Sequence, residues 1–597
     1  VTGVRSRRAR VRVTGAALLA VFTLLATGCA NLPDASAPQA IGTVDRAPVS
    51  TSVEAPAPGR EPDLLLRDFV KASTDPANRH LAARQYLTKD ASSRWDDADS
   101  ATIVDKIDLI LESRSADRAV YTIRANRVGQ LEEGGLYQAQ EGTYEAKFSS
   151  IKVDGEWRID NLPNGVIMDR PQFLNSYQRK SLYFLDPTST TVVPDPRWIA
   201  ASQDQIVTQL IGLLLDGPKP SLAGAVGNEL GSGVAVLGPI TKADGQTSQV
   251  GVGLGGVRID FQGLSRMNAQ SRELLAAQVV WTLANADISG PYVLLADGQP
   301  LDERYAEGWT TADVASYNPL ATSSASVGLH ALRGGGLVNV TDAAVNPVPG
   351  YFGASDNLRS AAISRDGTLT AAVAETRRPA PEPQTALVVG TFDGNVATAL
   401  EAQTVTRPTW ALDGATVWAV VNDSTIVRVV RETGTGKLTT MNVESGAISA
   451  LGGPVTELRL SRDGVRAALI VDGKVYVATV VRQPDGEYSV TNPRAIAHGS
   501  GTRAVSLDWS TPDTVVVVRD GSDVPVVQLA VDGSRMDSLP SRNLTSPVVA
   551  VDATSTTEFV ADARAVFQLN NNDPAGDRYW REVPGLTGTK AIPVLPG

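Results

Sequence analysis

The chain has 597 residues, 42% of them hydrophobic, with a formal net charge of −11, three histidines and one cysteine. The acidic balance excludes electrostatic binding of nucleic acid or adhesion to anionic lipid, both of which need basic surface. A single thiol excludes a disulfide framework, and the length is enough for several domains.

Residues 1–28 carry Arg5, Arg7, Arg8, Arg10 and Arg12 and no acid, followed by an apolar run from Ala16 to Ala26. This is the pattern of a signal peptide, and its apolar core is too short to cross a bilayer of roughly 30 Å. Ala26, Thr27 and Gly28 suit a peptidase that reads small side chains, and the next residue is Cys29. The string resembles the lipobox of bacterial lipoproteins, with Ala26 where leucine is usual and Leu25 one step earlier. Cys29 is therefore the expected lipidation site and mature N-terminus, placing the body on the extracytoplasmic face of the cell membrane. The alternative is an ordinary secretory signal with an incidental cysteine, which leaves the position of the one thiol unexplained. Loss of residues 1–28 takes the formal charge to −16. Residues 29–60 hold Pro33, Pro38, Pro48, Pro56 and Pro58 without periodicity and read as a disordered tether.

From Asp63 to Tyr86 apolar residues recur at helical spacing, and Ala101 to Leu111 repeats that spacing. The period then changes to two: residues 119–128, 142–153 and 156–162 read as antiparallel strands, with a hairpin turn at Val153-Asp154-Gly155. Helices followed by a sheet predict an α+β domain over 61–172. A second α+β domain is expected over 180–310. It has a strand at 181–186, a helix from Asp204 to Leu215 ended by Asp216-Gly217-Pro218, and strands near 247–261. A helix over 271–285 follows, with Ser271 as N-cap and Leu274, Gln278 or Val279, Trp281 and Leu283 facing a sheet, and a strand at 291–298 closes the domain.

Residues 320–597 are all β and repeat. Four strand-turn-strand units align on Asp366, Asp413, Asp463 and Asp513, at separations of 47, 50 and 50 residues. That period is the signature of propeller blades. Asp-Gly suits the tight turn, since Asp satisfies local N–H groups and Gly takes positive φ at little cost. The unit at 549–562 lacks the motif, so five or six blades are expected, with the strand near 326–333 completing the last one.

Few motifs carry chemistry. GVGLGG at 251–256 fits G-x-G-x-x-G, but Val257 to Phe261 reads as a strand where a dinucleotide site needs a helix. TGTGKLTT from Thr433 lies between propeller strands and has Arg431 where a phosphate loop needs its first glycine. The acids near Asp97 lack the Gly and Glu of an EF-hand, with Thr102 and Asp108 in those places, and read as a solvated turn. His80, His330 and His498 lie in separate neighbourhoods, and no G-x-S-x-G elbow occurs. No cofactor, metal site or catalytic residue is assigned, although paired carboxylates of a glycosidase stay open. Trp410 and Trp509 stand just before blade turns and are expected to pack between blades rather than to line a ligand face.

Three signatures together resemble one family. LLLDGP at 213–218, VRIDF at 257–261, VVWTLAN at 279–285 and VLLADGQPL at 293–301 look like a GerMN domain. The Asp-Gly repeats resemble TolB-like propellers, and the first α+β unit looks NTF2-like. In this order, behind a lipobox, they resemble the actinobacterial lipoprotein LpqB family. The resemblance implies a non-enzymatic accessory protein of the Mtr two-component system that contacts the extracellular part of its sensor kinase in cell-wall homeostasis and division. The competing reading is a glycan-binding protein or glycan hydrolase acting on cell-wall polymer.

Overall fold

The computed structural model describes residues 55–247, 255–320, 327–342, 344–497, 501–521 and 523–597. Cys29, the signal peptide and most of the tether lie outside the described residues.

The first unit opens with helix α1 (Pro62–Ala72), which begins on proline with Asp63 in its first turn and Lys71 in its last, an order that suits the helix dipole. Leu65, Leu66, Phe69 and Val70 lie on one face at the expected spacing and are buried. They meet a sheet in the order β4-β3-β2-β1-β5, formed by β1 (Ala101–Arg114), β2 (Arg118–Glu132), β3 (Leu136–Val153), β4 (Glu156–Asn161) and β5 (Val166–Asp169). Val153 pairs with Glu156 across the hairpin, and Asp154 and Gly155 take φ of 52° and 85°, as the expected turn requires.

The helical spacing of Ala101 to Leu111 is a correction: the segment is strand β1. A bulge between Asp105 and Asp108 shifts the pairing with β2, and Lys106 takes φ 54° there. The extra residue changes the phase of the alternation. Ile103, Val104, Ile107 and Leu111 then fall at intervals that imitate a helical face.

The middle unit pairs β6 (Gln178–Leu185) with β7 (Val192–Ile199) and sets β8 (Ala235–Val236), β9 (Val257–Gln262), β10 (Tyr292–Ala296) and β11 (Gln299–Pro300) in a second sheet. Helix α2 (Ile206–Asp216) ends at Gly217, φ 93°. Helix α3 (Ala269–Asn285) is capped by Asn268, whose side chain accepts from the Ser271 N–H, so the cap lies three residues before the expected Ser271. Gln278 and Val279 are both buried and Trp281 is partly buried. The Gln278 amide is satisfied by the N–H of Glu229 and the carbonyl of Tyr183.

From Leu329 onward the chain forms six four-stranded antiparallel sheets, here sheets 1 to 6. Sheets 2 to 6 are contiguous in sequence, over 358–402, 409–442, 455–495, 504–538 and 550–582. Sheet 1 takes Leu329–Arg333, Gly336–Val340 and Val345–Pro347 and is completed by Ala591–Val594, which pairs with Leu329–Arg333. The strand near 326–333 therefore completes no final sheet, and the last strand of the chain joins the first sheet instead. First strands of successive sheets neighbour one another from sheet 2 through sheet 6 and back to Ala591–Val594, so the ring shuts without a free edge at the seam. Asp366, Asp413, Asp463 and Asp513 each stand in the turn between the first and second strands of sheets 2 to 5. Gly367, Gly414 and Gly464 take φ of 75°, 63° and 74°, and Thr368, Ala415 and Val465 donate their N–H groups to the aspartate before them.

The three units share an interface centred on sheet 5. Arg179 of β6 bonds Asp513 at 2.8 Å and Asp532 at 3.3 Å. Trp198 of β7 packs 4.7 Å from Phe173 of the first unit and donates its indole N–H to Asp532 at 3.2 Å. The turn of sheet 5 approaches so closely that a Cβ on Gly533 would stand 2.7 Å from that of Ala139. Every residue of β7 is buried, Asp195 and Arg197 included: Val192 and Ile199 lie in the middle unit's own core, Trp198 packs into the core of the first unit, and Pro194 accepts from Arg466 of the propeller.

Candidate functional site

The turn face of the ring opens into a cavity of about 620 Å³. Its wall comes from equivalent places in five sheets: Leu329 and Leu595 in sheet 1, Arg365 in sheet 2, Trp410 and Leu412 in sheet 3, Ser461 and Arg462 in sheet 4, and Thr554, Thr556 and Thr557 in sheet 6. Phe559 and Leu460 add apolar surface, and no lining side chain is acidic. The Arg462 guanidinium is held by the carbonyl of Ala553 at 2.8 Å. Burial and the Arg462 charge together pull the Arg365 guanidinium below its ordinary value.

Deeper on the axis, the acids are paired. Arg407, which precedes sheet 3, donates to Glu457 at 2.8 Å and to the carbonyls of Leu507 and Val551. Arg459 donates to Asp508 at 2.9 Å and lies 3.8 Å from Asp552. Asp508 also accepts the N–H of Ala553, and Asp552 that of Leu595, so the last strand is tied into the cluster. Burial alone would raise the Asp508 carboxyl, but Arg459 and a hydrogen bond from Asp552 hold it well below the usual range. Burial and the Asp508 charge push Asp552 well above it. Two guanidinium groups, Arg407 and Arg459, thus face three acids, Glu457, Asp508 and Asp552. Asp508 and Asp552 form one carboxyl pair, bonded to arginine and backbone, and neither lines the cavity.

Trp410 and Trp509 pack between sheets as expected, donating to the carbonyls of Ala362 and Arg459 in the preceding sheets at 3.1 and 2.9 Å. Trp410 also lines the cavity, which the packing expectation missed. Asp97 is a correction: it is bonded to Arg79 and Arg84 at 3.0 and 2.6 Å rather than solvated. His80 packs edge-on to Trp95 and His330 stacks on Phe392; His498 lies outside the described residues. So does most of GVGLGG, and Val257–Gln262 after it is a strand. TGTGKLTT spans a hairpin between strands Thr425–Arg431 and Leu438–Asn442 of sheet 3. Among the described residues no group of three or more His, Cys, Asp or Glu is placed to hold a metal ion, and no helix is long and apolar enough to cross a membrane.

Sequence spacing could not have found Arg407, Glu457, Arg459, Asp508 and Asp552, which come from the segment before sheet 3 and from sheets 4, 5 and 6. A faint signal existed in the polar residues on otherwise apolar first strands, such as Arg459 in VTELRL and Asp508 in VSLDW.

Comparison with known proteins accounts for most of the chain. Residues 55–174 match the family model "Lipoprotein LpqB, N-terminal domain", 181–302 match "Sporulation and spore germination", and 335–596 match "Lipoprotein LpqB beta-propeller domain". The Lipoprotein LpqB of Rhodococcus jostii is 69% identical over 100% of both chains. That of Nocardia farcinica is 51% identical over 98% of both, and that of Mycobacterium ulcerans 45% identical over 97% of this chain and 99% of its own. Full-length identity of this order, carried by the same units in the same sequence order, places the chain in the lipoprotein LpqB family.

Proposed function

We propose that the protein is a lipid-anchored, non-catalytic accessory protein of the extracytoplasmic membrane face, whose folded body binds the extracellular part of the Mtr sensor kinase. Cys29 carries the lipid, and residues 29–60 hold the body off the membrane. The body comprises an NTF2-like unit over 61–172, a GerMN unit over 180–310 and a propeller over 320–597, whose six sheets we read as six blades. The partner and the NTF2-like reading rest on the resemblance to the family.

One observation favours binding over hydrolysis. The axial acids Glu457, Asp508 and Asp552 are committed to Arg407, Arg459 and backbone N–H groups, and the side chains lining the cavity of about 620 Å³ on the turn face include no Asp or Glu. A glycosidase needs two carboxyl groups flanking its substrate. A pull-down of the kinase ectodomain by the soluble body, run beside sedimentation with cell-wall polymer, tests the reading. Retention of the kinase is expected, and binding to wall polymer alone would reverse it. The anchor is tested with Cys29→Ser, since a hydroxyl does not accept diacylglycerol as a thioether. Loss of label from a palmitate analogue is expected, and label persisting on the variant would remove Cys29 as the site.

A further inference from the structure

A second cleft lies where the middle unit meets the propeller. The turn at 186–190, which joins β6 to β7, stands over sheets 3 and 4 and encloses about 320 Å³ with Leu412, Leu460 and Val480. Its aromatic wall comes from both sheets: Trp418 of sheet 3 and Tyr488 of sheet 4 have ring centroids 5.5 Å apart, with their planes at 90°. Small-molecule sites often lie between units, in pockets of roughly 300–1,000 Å³ with mostly apolar walls.

The polar groups of this wall that lack a partner are donors. Its three carboxylates are met within their own turns: Asp186 by the N–H groups of Thr188, Thr190 and Thr191, Asp413 by those of Ala415 and Thr416, and Asp463 by the Ser461 hydroxyl and the Val465 N–H. The Arg482 guanidinium lines the cleft, directly across the strand pair from Tyr488, and among the described residues it has no acceptor. The same holds for the Trp418 indole N–H, on a side chain only 2% exposed, whereas the indoles of Trp410, Trp509 and Trp580 each donate to a carbonyl. Leaving a buried donor unmet costs about 1–3 kcal/mol, so the cleft suits a ligand that brings acceptors. A guanidinium matches a carboxylate in geometry, and a third aromatic ring extends the edge-to-face arrangement of Trp418 and Tyr488. We propose that this cleft binds a small aromatic carboxylic acid, its ring against Trp418 and Tyr488 and its carboxylate taking the donors of Arg482 and Trp418. The proposal is independent of kinase binding, because a body that binds the kinase can do so with the cleft filled or empty.

The test is calorimetric titration of the full chain in detergent with benzoate, benzyl alcohol and cyclohexanecarboxylate, each corrected for titration into detergent alone. Saturable binding of benzoate is expected, with benzyl alcohol about tenfold weaker for want of the charge-assisted bonds and cyclohexanecarboxylate several-fold weaker for want of the aromatic ring. Arg482→Gln changes an exposed side chain and should keep the parent's melting temperature, weaken benzoate about tenfold and leave benzyl alcohol unchanged. Trp418→Phe keeps a ring and removes the indole donor, and it should weaken benzoate several-fold. Should that buried variant fail to fold, Arg482→Gln and the three ligands still decide the result. No saturable binding of benzoate, equal binding of benzyl alcohol or of cyclohexanecarboxylate, or undiminished binding of benzoate by Arg482→Gln would each overturn the proposal.

Discussion

One hairpin is used in two ways on the same face of the propeller. In sheet 2 the turn aspartate Asp366 is exposed; although burial alone would raise it, hydrogen bonds from Ser364 and Thr368 bring its carboxyl below the usual range. In sheet 4 the equivalent Asp463 is buried, and desolvation outweighs Arg466 and Ser461 to push its carboxyl up. The local bonding is nearly the same in both, with the preceding serine and the N–H two residues on donating to the aspartate. What differs is the cover. The middle unit lies over sheets 4 and 5, where Arg466 reaches the carbonyl of Pro194 at 2.5 Å and Val465 packs with Val193, Leu222 and Ala225. Sheets 2 and 6 give their turns to the cavity, and sheet 4 lines it with Ser461 and Arg462 while burying Asp463 beside them. The repeat therefore fixes a hairpin, and the cover over the aspartate decides whether its carboxyl is buried.

The largest effect should come from the axis both sides share. Arg459→Ala removes the guanidinium bonded to buried Asp508 and leaves Asp552 with Arg407 alone, and breaking a buried pair in this way costs about 3–5 kcal/mol. A large fall in melting temperature is expected, with the ring loosened at the seam where Asp552 holds the Leu595 N–H. A variant that melts within a degree or two of the parent would mean the cluster contributes nothing net.

Next is the covered side. Arg179→Ala strands Asp513 and Asp532 and should lower stability by about 3 kcal/mol. Asp532→Asn, which keeps an acceptor for Trp198, should cost less. A propeller fragment over 320–597 should remain folded, because Ala591–Val594 shuts its own ring, yet melt below the 55–597 body. Equal melting would show that the interface adds no stability, and aggregation of the fragment would show that the units fold only together.

The contrast also explains what could be read in advance. The α+β order, the Asp154-Gly155 hairpin, the period of 47 to 50 residues and the packing of Trp410 and Trp509 follow from local chemistry, so the sequence displays them. Strand β7 was missed. Its sequence, VVPDPRWI, holds two prolines and two charged residues, which argue for a loop unless the charges are paired and the strand is covered; here Asp195 pairs with Arg197 and Lys219 of the same unit, while Trp198 meets the first unit and Pro194 the propeller. Strand β1 was misread because a bulge altered its period. The axial cluster and the cavity wall are assembled from residues far apart in the chain, and nothing in spacing alone brings them together.

Trp509→Phe probes the packing between sheets. It removes the bond to the Arg459 carbonyl and leaves that acceptor buried, at a cost of about 1–3 kcal/mol. Trp410→Phe removes the equivalent bond to Ala362 but borders the cavity, where water can reach the freed carbonyl, so its cost should be smaller. Equal losses, measured by denaturant unfolding, would erase the distinction between a closed and an open part of the ring.

The smallest effect at neutral pH is expected at Lys219, on the covered side. Burial pulls its amine down to about 8, against the attraction of Asp195 and Asp532, with Arg466 and Arg494 adding repulsion. The unfolded chain has an ordinary lysine near 10.4, so between about pH 8 and 10 the unfolded state binds the extra proton. Stability from this group therefore rises with pH across that window, by no more than about 1.4 kcal/mol per unit. Above pH 10 the sign reverses through other groups, since burial holds Tyr137 and Tyr177 up to about 12 and the unfolded chain loses those protons first. Lys219→Met has no proton to lose and keeps the stem packed. It should change stability little at pH 7 and flatten the rise between pH 8 and 9.5 in a series of urea melts. A variant that rises as steeply as the parent would mean that Lys219 keeps its ordinary proton affinity at the interface, and that the cover over sheets 4 and 5 admits water.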